Sequence, residues 1–199
     1  MTWKGTPQNI NTQQPTNDIN IKQWLESNFR IIKQLLVSKS LAYIKTHRAA
    51  SFTVSALSTW EDMPFDVLVA EETKLITQTV DGIQQILPFV GEYYVSGCIR
   101  PQFVGTGNPQ VTTAGRIMVS NDGGATWAEA RCLQTVLNET RGQNSQYTQP
   151  FTGTVNASNA DIPTRIKLQV LTNHADMSFA GWSGFDSPVA ASLHIHKIN

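Results

Sequence analysis

The side chains most able to do nucleophilic or acid–base chemistry lie far apart along this 199-residue chain. A hydrolytic triad needs a Ser or Cys beside a His, which in turn is oriented by a carboxylate. None of the four histidines has such neighbours in the sequence: His47, His174, His194 and His196. The clustered acids are interpreted as solvated carboxylates on loops: Glu61, Asp62, Glu71, Glu72 and Asp81. The sequence therefore predicts a protein that is not an enzyme and that needs no cofactor.

One motif is complete: residues 120–127, Ser-Asn-Asp-Gly-Gly-Ala-Thr-Trp, match the pattern Ser-x-Asp-x-Gly-x-Thr-Trp. The match resembles the Asp-box of sialidase propeller blades. That box is a tight hairpin in which the Asp accepts hydrogen bonds from turn amides, the Gly takes a positive φ and the Trp packs under the turn. A propeller needs several blades of about 40 residues, and this chain holds one copy. We interpret Ser120, Asp122, Gly124 and Trp127 as a structural hairpin, with a carbohydrate-active enzyme as the alternative.

Two histidines alternate near the C-terminus. His194 and His196 share one face of the last predicted strand, while Leu193 and Ile195 point the other way, into the core. Neutral imidazoles from several chains around one axis would suit a transition metal. Two ligands in one chain do not specify a metal site. We therefore predict no metal and interpret both residues as interfacial histidines bonded to backbone or water.

Residues 173–188 concentrate aromatic side chains among small residues. They supply a candidate ligand loop: His174, Asp176, Phe179, Trp182 and Phe185. Rings beside polar groups suit stacking of a carbohydrate or contact with a protein. The competing interpretation is that the three rings pack into the core, because large aromatic side chains usually bury most of their area.

Composition limits the partners. The formal net charge is zero and 15% of the residues are charged, which gives no electrostatic reason to bind nucleic acid or an anionic membrane. No apolar run approaches the roughly 20 residues that span a bilayer, and the N-terminus lacks the pattern of a secretory signal. We therefore expect synthesis in the cytoplasm and no membrane insertion. Cys98 and Cys132 are expected to be buried free thiols.

The pattern of apolar residues divides the chain into three parts. Residues 1–18 are rich in Gln, Asn, Thr and Pro, which predicts a flexible arm. Residues 19–38 carry an apolar stripe at spacings of three and four, which predicts an amphipathic helix. The stripe consists of Ile21, Leu25, Phe29, Ile32 and Leu36. A helix this short is marginal in isolation, so the stripe is expected to pack, either on its own domain or in a trimeric coiled coil.

From residue 41 to residue 199 the period falls to two. About ten short strands with no helix between them predict a mainly β jelly-roll sandwich. The candidate strands are residues 41–46, 52–57, 65–69, 75–80, 83–87, 92–100, 116–120, 126–135, 147–155, 165–172 and 190–198, separated by turn signals such as Asp81-Gly82. Three motifs stand out in this region: Pro64-Phe65-Asp66; Asp81-Gly82-Ile83 leading into Pro88-Phe89-Val90-Gly91-Glu92-Tyr93-Tyr94-Val95; and Trp182-Ser183-Gly184-Phe185. With the closing run 192–198, they resemble the tumour-necrosis-factor and complement globular-head superfamily, a ten-stranded jelly roll that typically trimerises. The resemblance implies that the final strand lies in the sheet facing the trimer axis. In that family the last motif runs almost directly into the chain end, whereas Asp186-Ser187-Pro188 intervenes here.

A polar arm, a short striped helix and a trimeric head together resemble the layout of a bacteriophage fibre, head-fibre or receptor-binding protein. The analogy implies a virion protein whose residues 1–18 dock on capsid or tail proteins. It implies a helix that joins three chains, and a homotrimeric head that contacts a host-surface glycan or protein. A bacterial adhesin head is a further alternative, because one fold serves many roles.

Overall fold

The computed structural model describes residues 21–29, 42–69, 75–143, 145–181 and 189–198. Residues 21–29 are helical. Thirteen strands follow: β1 Tyr43–Arg48, β2 Glu61–Asp62, β3 Val67–Leu68, β4 Thr77–Gln78, β5 Gln84–Leu87, β6 Gly91–Ile99, β7 Pro101–Phe103, β8 Gln110–Ser120, β9 Ala128–Thr140, β10 Gln149–Ala157, β11 Thr164–Thr172, β12 Met177–Phe179 and β13 Ala191–Lys197. Every strand pair among them is antiparallel, so the prediction of a mainly β fold is confirmed.

Two sheets form the sandwich. The first has five strands in the order β10-β6-β13-β1-β3, and the second contains β4-β5-β11-β8-β9 with β2 added beside β11. A small ribbon pairs β12 with β7. Some neighbouring strands are far apart in sequence, as in β13 between β1 and β6, which is the crossed connectivity of a jelly roll.

Alternating apolar side chains from both sheets fill the space between them. Leu193 and Ile195 of β13, Tyr93 and Val95 of β6 and Ile166 of β11 are all buried in one hydrophobic cluster. Strand β11 shows the alternation most clearly, since every second residue from Thr164 to Thr172 is buried. Each sheet therefore has one face in the core and one face turned outward.

The structure corrects several predicted strand boundaries. The stretch from Phe52 to Leu57, predicted as a strand, contributes only an isolated bridge between Phe52 and Phe179. Strand β8 begins at Gln110, six residues before the predicted start at Arg116. Thr113, Ala114 and Gly115 are all buried there. The sequence therefore shows no alternation of apolar and polar residues from which this part of the strand could be predicted. β7 and β12 were not predicted, because three residues are too few to show a period.

Several sequence predictions fall on residues outside the described ranges. They concern the arm 1–18, the later part of the apolar stripe, the acids of residues 71–72 and the aromatic motif of residues 182–185: Ile32, Leu36, Glu71, Glu72, Trp182 and Phe185. No helix in the described part of the chain is long and apolar enough to cross a membrane.

Candidate binding surfaces

The Asp-box residues form the tight turn that joins β8 to β9. The Asp122 carboxylate accepts hydrogen bonds from Ser120 Oγ at 2.6 Å and from the Thr126 backbone N–H at 2.9 Å, and it also accepts one from Thr126 Oγ1. Those bonds, led by the one from Ser120, hold the pKa of Asp122 well below its ordinary value of 3.8. Gly123 and Gly124 take positive φ angles of 75° and 102°, which glycine adopts at little cost. The Asp122 side chain is thus committed to the turn.

The Trp127 ring closes this hairpin and faces a cation. Its Nε1 donates to the Gly124 carbonyl at 3.1 Å, and the Lys167 ammonium lies 4.5 Å from the ring centroid. Arg165, also on β11, places its guanidinium beside Gly124. It donates from Nη1 to Gln84 Oε1 at 2.9 Å. The turn and two cations of β11 therefore share one end of the outward face of the second sheet.

A second tryptophan and cation lie further along the same face. The guanidinium of Arg116 sits 4.1 Å from the ring centroid of Trp60. It donates from Nη1 to Glu129 Oε2 at 3.1 Å and from Nη2 to Gln169 Oε1 at 2.9 Å. The amide of Gln169 then donates to Asp62 Oδ1 at 2.8 Å. Because Lys167 Nζ donates to Asp62 Oδ2 at 2.9 Å, the two tryptophan–cation stacks belong to one polar network.

Sequence reasoning missed this network, although part of its signal was visible. Arg165, Lys167 and Gln169 alternate along β11 with buried residues, so their shared outward face could have been predicted. Their partner Asp62 lies 105 residues before Lys167 in the chain. That pairing depends on the short strand β2, in a segment that the sequence pattern assigns to a loop.

The outward face of the first sheet carries the histidines. The strand register sets β1, β13, β6 and β10 side by side, so their outward residues form three rows: Tyr43, His196, Tyr94 and Thr154; Lys45, His194, Ser96 and Thr152; His47, Ser192, Cys98 and Pro150. The rings of Tyr94 and His196 lie 5.0 Å apart, and Tyr94 Oη accepts from Thr152 Oγ1 at 2.6 Å. His194 and His196 share this outward face, opposite to that of Leu193 and Ile195.

Cys98 differs from its expected burial. It is free and partly exposed, because it faces outward from β6, and its Sγ lies 3.3 Å from Ser192 Oγ. In the part of the chain that the structure describes, no three His, Cys, Asp or Glu side chains are grouped closely enough to hold a metal ion.

The candidate ligand loop does not present all its members to solvent. Phe179 belongs to β12 and is 1% exposed, so it packs in the core and cannot stack on a ligand. Asp176 is exposed, and its backbone N–H donates to His174 Nδ1 at 3.2 Å. The His174 ring instead packs edge-on against the buried ring of Phe103, with centroids 5.3 Å apart. Phe179 therefore leaves the proposed set of ligand residues.

The acids noted in the sequence have separate structural roles. Glu61 Oε1 accepts from Ser55 Oγ at 2.9 Å and from the Ala56 backbone N–H at 2.7 Å, while Asp62 bonds Lys167 and Gln169 on the sheet. Asp81 accepts within its own turn from Thr79 and Ile83, which lowers its pKa. Glu61 and Asp62, adjacent in the sequence, thus bond to different partners.

In the helical residues 21–29, the apolar stripe is partly open to solvent. Leu25 is 43% exposed and Phe29 is 67% exposed. Ile21 is less exposed than either.

No protein-family model and no curated protein sequence matches this chain. Solved structures share its fold. Eiger TNF from S. frugiperda aligns with a TM-score of 0.54 at 11% identity, over 81% of this chain and 94% of that one. The globular domain of zebrafish complement 1qA aligns at 0.51 and 8% identity, over 80% and 98%. Murine APRIL aligns at 0.50 and 11% identity, over 80% and 98%. These likenesses confirm the predicted jelly roll of the tumour-necrosis-factor and complement-head type.

Proposed function

We propose that this protein is a non-enzymatic virion protein of a bacteriophage, a fibre or decoration knob. Its jelly-roll heads form a homotrimer, and the trimer displays a surface to the host. Residues 1–18 attach it to capsid or tail proteins. The fold that this chain shares with TNF, APRIL and complement 1qA supports the more general claim that the chain is a binding head rather than an enzyme.

The observation that carries the proposal is the outward face of the five-stranded sheet. It presents two tyrosines and three histidines on adjacent strands, in the three rows described above. Aromatic side chains are enriched in protein interfaces and acidic ones are depleted. The only acid among the outward residues of β1, β6, β10 and β13 in the described chain is Glu92. The tyrosines and the scarcity of acids favour a surface that contacts another protein.

Symmetry makes a second copy the natural partner. In a closed homo-oligomer every subunit buries equivalent surface, and the resemblance noted in the sequence puts the last strand at a trimer axis. β13 is the middle strand of this sheet, so a three-fold contact centred on β13 would bring the three rows of each head together. Each Å² of apolar area removed from water would contribute about 25 cal/mol.

The helix supports the same assembly. Leu25 and Phe29 expose large apolar surfaces, and a three-chain bundle would cover them as positions of a coiled-coil seam. The seam has fewer than three heptads, so the heads are expected to supply most of the association energy.

The carbohydrate-active alternative finds no support in the Asp-box. Asp122 uses its carboxylate oxygens within its own turn, and a catalytic acid must reach a substrate proton directly or through one water. The hairpin geometry accounts for the motif without a reaction.

Substitution on the histidine face tests the trimer. Tyr94→Lys introduces a charge beside His196 on this face, so three copies would bring three ammonium groups together at the interface. We expect the purified chain to shift from trimer to monomer in light scattering coupled to size exclusion, with its β-sheet circular dichroism retained. Val136→Lys is the matched control, because Val136 is 62% exposed and lies on β9 of the other sheet.

A trimer that survives Tyr94→Lys, or that is lost equally in Val136→Lys, would contradict the proposed interface. Attachment is tested separately by deleting residues 1–18. We expect the deleted chain to remain trimeric but to be absent from purified particles of the phage that encodes it, as judged by immunoblot. Incorporation of the deleted chain at the level of the full chain would overturn the assigned role of the arm.

A further inference from the structure

On the outward face of the second sheet, Arg165 has no carboxylate partner among the residues whose side chains the structure describes. Lys167 is paired with Asp62 and Arg116 with Glu129. Arg165 bonds the neutral amide of Gln84. Within the described ranges its Nε is buried and has no hydrogen-bond partner, so a ligand would have to bond the Nη atoms of the guanidinium. In the adjacent Asp-box turn, the Asp122 carboxylate accepts its bonds from Ser120 and Thr126.

The residues around Arg165 combine three kinds of recognition group. Trp127 supplies a partly exposed aromatic ring, Gln84 an amide, and Lys167 a second cation over that ring. We name these four residues, Gln84, Trp127, Arg165 and Lys167, the β11 patch. The patch is built on rigid elements, since Gln84 pairs with Lys167 across β5 and β11 and the Trp127 ring is fixed by its bond to Gly124.

We propose that the β11 patch binds an acidic saccharide, a sugar that carries a carboxylate. Guanidinium groups recognise carboxylates with paired, charge-assisted hydrogen bonds. A pyranose also has an apolar C–H face that packs on an indole ring, and hydroxyls that pair with an amide. A bare inorganic anion would contact the cations alone and would not contact the ring.

The surface beyond the patch favours an extended saccharide. One two-residue step along β11, roughly 6.6 Å, leads from Lys167 to Gln169. There the Asp62–Gln169–Arg116 network reaches the second ring, that of Trp60. An open sheet face with two tryptophans at separate points suits a chain of sugars lying across it.

This inference deepens the host-contact part of the proposed function and rests on it, but it does not depend on trimerisation, because all four residues belong to one head. It also replaces the loop of His174 as the place where a glycan would bind. Binding should therefore persist in Tyr94→Lys, which tests assembly alone.

The experiment is isothermal titration of the full chain with tetragalacturonate and, in parallel, with its methyl ester, which has the same sugar rings without the charge. The same comparison is made with sialyllactose and its methyl ester. We expect at least one carboxylated probe to bind and its neutral counterpart to bind at least about tenfold more weakly, the effect of losing a charged hydrogen bond.

Two substitutions on the patch and one elsewhere locate the site. Arg165→Gln and Lys167→Gln should each weaken the binding of the carboxylated probe about tenfold or more. Arg48→Gln removes the same charge from β1 of the other sheet and should leave binding unchanged. Thermal melting of each variant shows whether it is folded.

Three results would overturn the proposal: no binding of either carboxylated probe, equal binding of the charged and neutral probes, or equal weakening in Arg48→Gln and Arg165→Gln. The last would indicate diffuse electrostatic attraction. Loss of trimers in Tyr94→Lys with saccharide binding intact would support both the assembly and the site. It would show that trimerisation and saccharide binding use different surfaces of the head.

Discussion

Asp122 shows how much a single side chain can organise. It accepts bonds from Ser120 and Thr126, and the pKa of its carboxyl is held far below the ordinary 3.8. A group with a lowered folded-state pKa stabilises the fold above its unfolded-state pKa, and this contribution is lost as the pH falls towards the folded-state pKa. The hairpin is therefore expected to be stable at neutral pH and to weaken in acid.

Asp122→Asn tests this sign. The variant should melt at a lower temperature than the wild type at pH 7, because an amide is a weaker acceptor and cannot carry the charge. The difference between the two melting temperatures should stay constant down to about pH 4 and shrink from there to about pH 2. Calorimetry across that range measures it. A difference that is the same at both ends of the range would show that the charge of Asp122 has no part in stabilising the hairpin.

At the residue scale, local patterns were predictable from the sequence and distant contacts were not. The Ser120 to Trp127 hairpin could be predicted, including the bond of Asp122 to a turn amide and the positive φ of Gly124, because its residues are close in the sequence. The outward direction of His194 and His196 also followed from strand alternation. The partners of Arg165 and Lys167 could not be predicted in this way. Gln84 and Asp62 are distant in the sequence, and only the sheet register brings them close.

Among the elements, the turn between β4 and β5 depends on the fold around it. The Asp81-Gly82 pair predicted a turn, and Gly82 has φ of 74°. The structure adds a close approach: a Cβ at Gly82 would overlap the Phe65 carbonyl, and Phe65 N–H donates to the Gly82 carbonyl at 3.0 Å. Gly107 has a similar φ of 83°, but no described atom lies within 4 Å of the position that a Cβ would take there.

These two glycines separate backbone strain from steric overlap. Gly107→Ala should cost only the left-handed conformation, about 1–2 kcal/mol. Gly82→Ala should cost that amount and, in addition, the shift of the Phe65 backbone, about 1–3 kcal/mol more. Urea denaturation of both variants measures the free energies of unfolding. Equal losses in the two variants would refute the close packing of Gly82 against Phe65.

Strand existence was easier to predict than strand extent. β11 and β13 alternate buried and outward residues cleanly and were predicted within about one residue at each end. β8 and β9 extend well beyond their predicted lengths, to 11 and 13 residues. Their extra residues are mostly small or polar, and they are held in the sheet by mutual pairing from Gln110 to Thr140 rather than by an apolar pattern of their own.

For the whole molecule, the sandwich has two outward faces with different chemistry. One presents tyrosines and histidines around β13, and the other presents tryptophans and cations around β11. We assign self-association to the first and saccharide contact to the second. The jelly-roll class was predictable from the number and period of the strands, whereas the strand order that creates these faces depends on long-range pairing.

Assembly is the central claim, and the mass of the full chain in solution tests it most directly. Sedimentation equilibrium at micromolar concentration and neutral pH should give about three times the chain mass of 22.0 kDa, with no dependence on rotor speed. A single species at 22.0 kDa over the same concentrations would contradict the proposed trimer, because the histidine face and the apolar helix would then have no partner copy to cover them.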